Sequence, residues 1–123
     1  MLLIFFRLVR ESCKLSTLVL AGNEGIDSVG VKGLLVAAKD SKTLRKLNLS
    51  TCGVQSPLDD SFFDALKTTI SQGDRECCLA ELELSHNLIS TVDKERLAEE
   101  WHIGYGGESL TCLKNNLCLL TKS

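Results

Sequence analysis

The stretch Leu44-Arg45-Lys46-Leu47-Asn48-Leu49-Ser50-Thr51-Cys52 decides the fold. Its apolar residues stand at the first, fourth and sixth places, and a cysteine closes it at the ninth. The same spacing recurs upstream as Leu15, Leu18, Leu20 and Asn23, and downstream as Leu79, Leu82, Leu84 and Asn87. The starts near 15, 44 and 79 lie 29 and 35 residues apart. Self-similarity at such a period marks stacked units that share one core. A degenerate fourth copy is expected near 110, with Leu110, Leu113 and Cys118 in place but Asn115 where a leucine belongs.

The pattern dictates what each unit does. Leu47 and Leu49 are two apart, so in a strand both side chains point to one side, which must be the interior. The ninth residue follows the strand, where the backbone turns and loses its ladder partners. A buried Asn can bond neighbouring backbone groups there, and Cys can stand in as a small, weak donor.

These residues resemble the leucine-rich repeat, L-x-x-L-x-L-x-x-N/C. A period near 29 with a helix between strands is similar to its ribonuclease-inhibitor-like subtype. The resemblance covers about residues 13–101. It implies an α/β solenoid, a short horseshoe with parallel strands on the concave face and helices on the convex face. Residues 1–123 are then one leucine-rich-repeat domain, expected to be part of a larger protein.

Composition suits that picture. At 123 residues one domain is expected, and 44% hydrophobic with 24% charged residues is ordinary for a globular chain. A net charge of −2 gives no electrostatic reason to expect nucleic acid or an anionic membrane. The apolar run before Arg7 is far short of the ~20 residues of a spanning helix. It lacks the marks of a secretory signal as well. Leu2 to Val9 is expected to be the end of a helix or a remnant of a preceding repeat, packing on the first strand. Six cysteines (Cys13, Cys52, Cys77, Cys78, Cys112 and Cys118) do not form a disulfide framework, since Cys52 belongs to the repeat and Cys77 adjoins Cys78. Reduced thiols and an intracellular place, cytoplasmic or nuclear, follow.

Helices are expected between the strands. Asp27 or Ser28 can cap one with Val31, Leu34, Leu35 and Ala38 on its buried face. Gly30 and Gly33 would let that helix lie close to the sheet. Ser56 is the expected N-cap of the second, with Pro57 at its first position, the stripe Leu58, Phe62, Leu66 and Ile70, and Gly73 at its end. The linker 72–76 accounts for the longer second period. Ser90 or Thr91 caps a third helix through Trp101, buried on Leu97, Ala98 and Trp101. A glycine-rich loop then spans 102–109.

Catalytic constellations are weak. Gly104-Tyr105-Gly106-Gly107 lacks the spacing of a phosphate loop and reads as a connector. Cys77, Cys78, His86, Cys112 and Cys118 show no metal-ligand spacing. Ser85 and His86 are adjacent, so in a strand they point to opposite faces. A small hydrolase or metal-binding protein built on them is the rival class to a non-enzymatic module without cofactor. The acidic group Asp59, Asp60 and Asp64 reads as a solvated helix face.

The concave face remains. Its third places are Thr17, Lys46, Glu81 and Cys112, its fifth Val19, Asn48, Glu83 and Lys114, and its seventh Ala21, Ser50, Ser85 and Asn116. Parallel strands about 4.8 Å apart would set each group in a row, with Lys46 beside Glu81 and Glu83 beside Lys114. Such a polar, mixed-sign face suits a protein partner. The partner-binding residues expected are Thr17, Val19, Lys46, Asn48, Ser50, Glu81, Glu83 and Ser85.

Intracellular families with such repeats include NOD-like receptors and the Tonsoku replication-repair scaffolds. The repeats with Trp101 and the glycine segment after it are similar to the end of a plant Tonsoku protein. That likeness implies a nuclear scaffold; sensor repeats of a NOD-like receptor are the alternative.

The register itself is testable. Leu47→Ala or Leu49→Ala is expected to cost about 2–5 kcal/mol, as core truncations do, and Leu47→Asp to prevent folding. Urea unfolding followed by circular dichroism measures this. Near-wild-type stability of either alanine variant would contradict the register.

Overall fold

The three repeat cores become three short parallel strands. The computed structural model describes residues 2–12, 14–70 and 79–122. The strands are β1 (Thr17–Val19), β2 (Lys46–Asn48) and β3 (Glu81–Glu83), followed by β4 (Ser109–Cys112) and β5 (Leu119–Lys122). The helices are α1 (Leu2–Glu11), α2 (Asp27–Asp40), α3 (Asp60–Ile70) and α4 (Thr91–Tyr105). The sheet order is β1-β2-β3-β5-β4.

β1, β2 and β3 pair in parallel, Thr17 with Lys46 with Glu81 and Val19 with Asn48 with Glu83. Their inward leucines, Leu18, Leu47 and Leu82, are buried with Leu20, Leu49 and Leu84. Each buried leucine contributes about 1.5–3 kcal/mol. The helices stack in sequence, α1 on α2 on α3 on α4, and bury their apolar faces against these leucines. This makes a two-layer α/β fold. The sheet is not curled into the horseshoe arc that was expected.

The C-terminal part also differs from expectation. β5 pairs antiparallel with β3, setting Thr121 opposite Glu81 and Leu119 opposite Glu83, and β4 pairs antiparallel with β5. The chain from 109 to 122 is thus a hairpin, so Lys114 does not become the cross-strand neighbour of Glu83. Three anchors hold the hairpin. The Trp101 indole N–H donates to Thr121 O at 2.9 Å, the Ser85 hydroxyl accepts the Cys118 N–H at 3.0 Å, and buried Lys94 donates to Asn115 O at 2.6 Å. Lys94 also reaches Leu113 O and Leu117 O at 3.4 Å.

The helix ends follow their local chemistry with one exception. Asp27 Oδ1 accepts the Val29 and Gly30 N–H groups, and Ser90 Oγ accepts that of Asp93. Ser56 does not cap α3. Its hydroxyl donates to Asp93 Oδ2 at 2.6 Å and accepts the Ser90 N–H at 2.8 Å, tying its loop to the next repeat. Asp59 caps instead, accepting the Phe62 N–H at 2.9 Å. The expected helix end at Gly73 and the linker 72–76 lie outside the described residues.

Two glycines mark close approaches. A Cβ on Gly33 would lie 2.5 Å from the Phe6 ring, so that gap admits α1 rather than the sheet. α1 accordingly packs chiefly on α2, not on the first strand. A Cβ on Gly104 would meet Ile70 at 2.7 Å; α4 runs past Trp101 to Tyr105, so the expected loop begins later, at Gly106.

The eighth place of every repeat is left-handed, with φ of +86° at Gly22, +52° at Thr51 and +59° at His86. An L-residue there costs about 1–2 kcal/mol, and β-branching makes Thr51 the least suited of the three. Thr51→Asn is therefore expected to raise the unfolding free energy by about 0.5–1 kcal/mol. Urea unfolding of the two proteins checks the sign, and an unchanged or lower value would count against strain at this turn.

Candidate functional site

Alternation along each strand puts every second side chain on the side away from the helices. Because the registers are in phase, these side chains line up in two rows across the sheet. One row runs Thr17, Lys46, Glu81, Thr121, Leu110, and the other Val19, Asn48, Glu83, Leu119, Cys112. Thr17, Val19 and Lys46 are exposed, and Asn48, Glu81 and Glu83 half-buried. Lys46 and Glu81 stand in register without closing an ion pair, so neither charge is consumed by the other.

The seventh places behave differently. Ser50 Oγ is buried beneath its neighbours and has no hydrogen-bond partner among the described residues. Ser85 is fully buried, and its hydroxyl is taken by the Cys118 N–H. It does not belong to an accessible face. The cause is the hairpin, whose incoming segment pairs with the end of β3 through Leu84 N–H to Cys118 O at 2.8 Å and His86 N–H to Asn116 O at 2.7 Å.

Leu119 and Thr121 join the face although repeat reasoning missed them. A signal was present, because inward Cys118 and Leu120 alternate with outward Leu119 and Thr121 in the period of a strand. The hairpin thus gives the face an apolar end, with Leu110 58% exposed.

The other candidates find structural employment. Trp101 is fully buried, edge-to-face with Tyr105 at 4.8 Å between ring centroids. His86 is exposed in its turn while the Ser85 hydroxyl is turned inward, so the two do not form a nucleophile and base. Cys52, Cys112 and Cys118 are free thiols. Cys13, Cys77 and Cys78 lie outside the described residues. Among the described residues there is no group of three or more His, Cys, Asp or Glu placed to hold a metal. Asp60 of the acidic group pairs with Arg96 at 3.2 Å, and Asp59 is the α3 cap, its carboxyl held below the usual range by the Ser61 hydroxyl and the Phe62 N–H. A groove of about 1050 Å³ lies on the helix side between α1, α2 and α3, with Leu3, Phe6, Val29 and Val36 among its walls.

The ninth places act as the spacing required. The Asn87 carboxamide donates to Leu84 O and Leu49 O and accepts the Cys52 and Val54 N–H groups at 2.9–3.1 Å. The Cys52 thiol donates to Leu20 O at 3.1 Å. Against this geometry, the family model of the leucine-rich repeat matches residues 11–35. Over those residues the chain is similar to a leucine-rich repeat. No curated protein and no solved structure matches it. Leucine-rich-repeat domains generally bind protein partners. Among the described residues no helix is long and apolar enough to cross a membrane.

Burial raises the Cys52 thiol above its ordinary range, and pushes Cys118 from about 9 up to about 11, against the opposing charge of Lys94. Between these values the native Cys118 stays protonated while the unfolded thiol ionises. The native state then holds more protons, so stability is complete below about pH 9 and falls towards pH 11. Cys118→Ala is expected to flatten that decline. Urea titrations at several pH values across the window measure it, and equal slopes for both proteins would refute the assignment.

Proposed function

We propose that this chain is a non-enzymatic protein-interaction module whose open sheet face binds a protein partner. The observation that carries the reading is the pair of registered rows, in which Lys46, Glu81 and Glu83 project from short, pre-ordered strands with no ion pair among the described residues. Binding on such a face loses little conformational entropy. Thr17, Val19 and Asn48 complete the contact set, and Ser50, whose hydroxyl is buried, borders it. Ser85 leaves it, being covered by the hairpin. No cofactor enters this proposal.

The finer assignments extend the same proposal. The ribonuclease-inhibitor-like subtype rests on the period of 29 and the helix between β1 and β2. A solenoid follows if further repeats continue the stack. The single domain is read as part of a larger intracellular scaffold of the Tonsoku type, on the likeness around Trp101. Reading the full transcript tests this extension, and a transcript coding for a NOD-like receptor would replace it.

Reversing Lys46, Glu81 and Glu83 together is expected to weaken partner capture by at least about tenfold while leaving the fold intact, because all three lie on the side away from the core and surface charges contribute only about 0–1 kcal/mol to stability. The control reverses Lys32 and Asp64 on the helix side. Pull-down from cell extract with circular dichroism of each protein decides between faces. If the helix variant loses its partners and the sheet variant keeps them, the open face is not the site.

A further inference from the structure

The open face is long in one direction only. Each of β1 to β3 has three residues, so two outward side chains per strand reach it, about 7 Å apart. Across the five strands it extends about 19 Å, in steps of about 4.8 Å. The sheet is not curled, so a straight rod can rest along it. A rod laid along a strand meets two side chains, whereas one laid across the strands runs between two whole rows.

The rows carry their chemistry in a fixed order. Lys46 stands on β2, Glu81 and Glu83 together on β3, Leu119 and Thr121 on β5, and Leu110 on the outer strand β4. Lys46, Glu81 and Glu83 make no ion pair among the described residues. A complementary partner must therefore offer a negative group, a positive group and then apolar surface, at steps of about 4.8 Å.

Regular structure differs in its ability to keep those steps. Same-side side chains of an extended peptide recur about every 6.7 Å and run ahead of the strands by about 2 Å at each step. A helix rises about 1.5 Å per residue, so its stripe at i, i+3, i+7 and i+10 falls at about 0, 4.5, 10.5 and 15 Å, within about 1 Å of four successive strands.

Given the open face as the partner site, we propose that the element it binds is an amphipathic helix of about four turns lying across the strands. The helix sets an acidic side chain over Lys46, a basic one between Glu81 and Glu83, and apolar ones over Leu119 and Leu110. Charge complementarity also gives its direction, because the reversed helix would set apolar side chains on all three charges.

The test uses a synthetic sixteen-residue alanine–glutamine peptide with Glu, Lys, Leu and Leu at its third, sixth, tenth and thirteenth places. Fluorescence anisotropy reads its binding to the whole chain, and circular dichroism its helicity. The peptide is expected to become helical as it binds. A peptide with Glu and Lys exchanged is expected to bind about tenfold more weakly, and Leu110→Ser to weaken the original peptide to a similar degree. The triple variant Lys46→Glu, Glu81→Lys, Glu83→Lys is expected to prefer the exchanged peptide. Lys46→Glu alone, at an exposed position, repeats the exchange at one place, with Lys at the third place of the peptide, should the triple variant not fold. Equal binding of the two peptides, binding of neither, a bound peptide that stays non-helical, or an unchanged preference in the variants would overturn the helix. If the triple variant loses its partners from cell extract while the peptides fail, the face stands and the helix falls. If it keeps those partners, the face itself is not the site.

Discussion

The fold depends on how the turn after each short strand satisfies its backbone. With strands of only three residues, the parallel ladder ends before the chain has reversed, and N–H and C=O groups would be buried unpaired. The Asn87 carboxamide answers this from within, with bonds to Leu49 O, Leu84 O and the Cys52 and Val54 N–H groups. Each such group left unmade would cost about 1–3 kcal/mol. One side chain therefore sets the spacing between two repeats as well as closing its own turn. The left-handed residue just before it, Thr51 or His86, is the local strain accepted to bring the ninth side chain inward.

That device works only when a repeat has a neighbour, which makes the two ends of the stack chemically different from its middle. At the C-terminal end an antiparallel hairpin replaces the next repeat. It brings Cys118 and Leu120 to the core in place of the usual leucines, and it needs a buried ammonium to hold its turn. The Lys94 charge is tolerable because three carbonyls surround it, as buried charges require. At the N-terminal end the Asn23 side chain bonds only Leu20 O among the described residues. A stack of this kind is specific along its axis because its interfaces are directional: each repeat offers different groups before and behind.

The open sheet face has a different logic. Its residues are free of core duty because alternation sends the leucines inward, so polar and charged side chains cost little there. Their positions are nevertheless fixed to within a strand register by the leucines behind them. A face can thus be both variable in sequence and rigid in geometry, which suits recognition of a protein surface.

The sequence by itself determined the strands, their parallel order and their buried leucines, because a spacing of three and two residues is a local property repeated in register. It also determined which side chains of β1 to β3 face away from the helices, and that Val31, Leu34, Leu35, Phe62, Leu66, Leu97 and Trp101 are core. Only the tertiary structure decided the rest. Ser56 looked like a helix cap but finds Asp93, 37 residues away, a stronger partner than its own helix. Gly33 looked like a contact to the sheet but makes room for Phe6. The segment after Gly107 kept enough of the repeat pattern to suggest a fourth parallel strand, yet it folds back as a hairpin and buries Ser85. In each case the deciding contact joins residues far apart in the chain, through a hydrogen bond or a steric fit that leaves no period in the sequence.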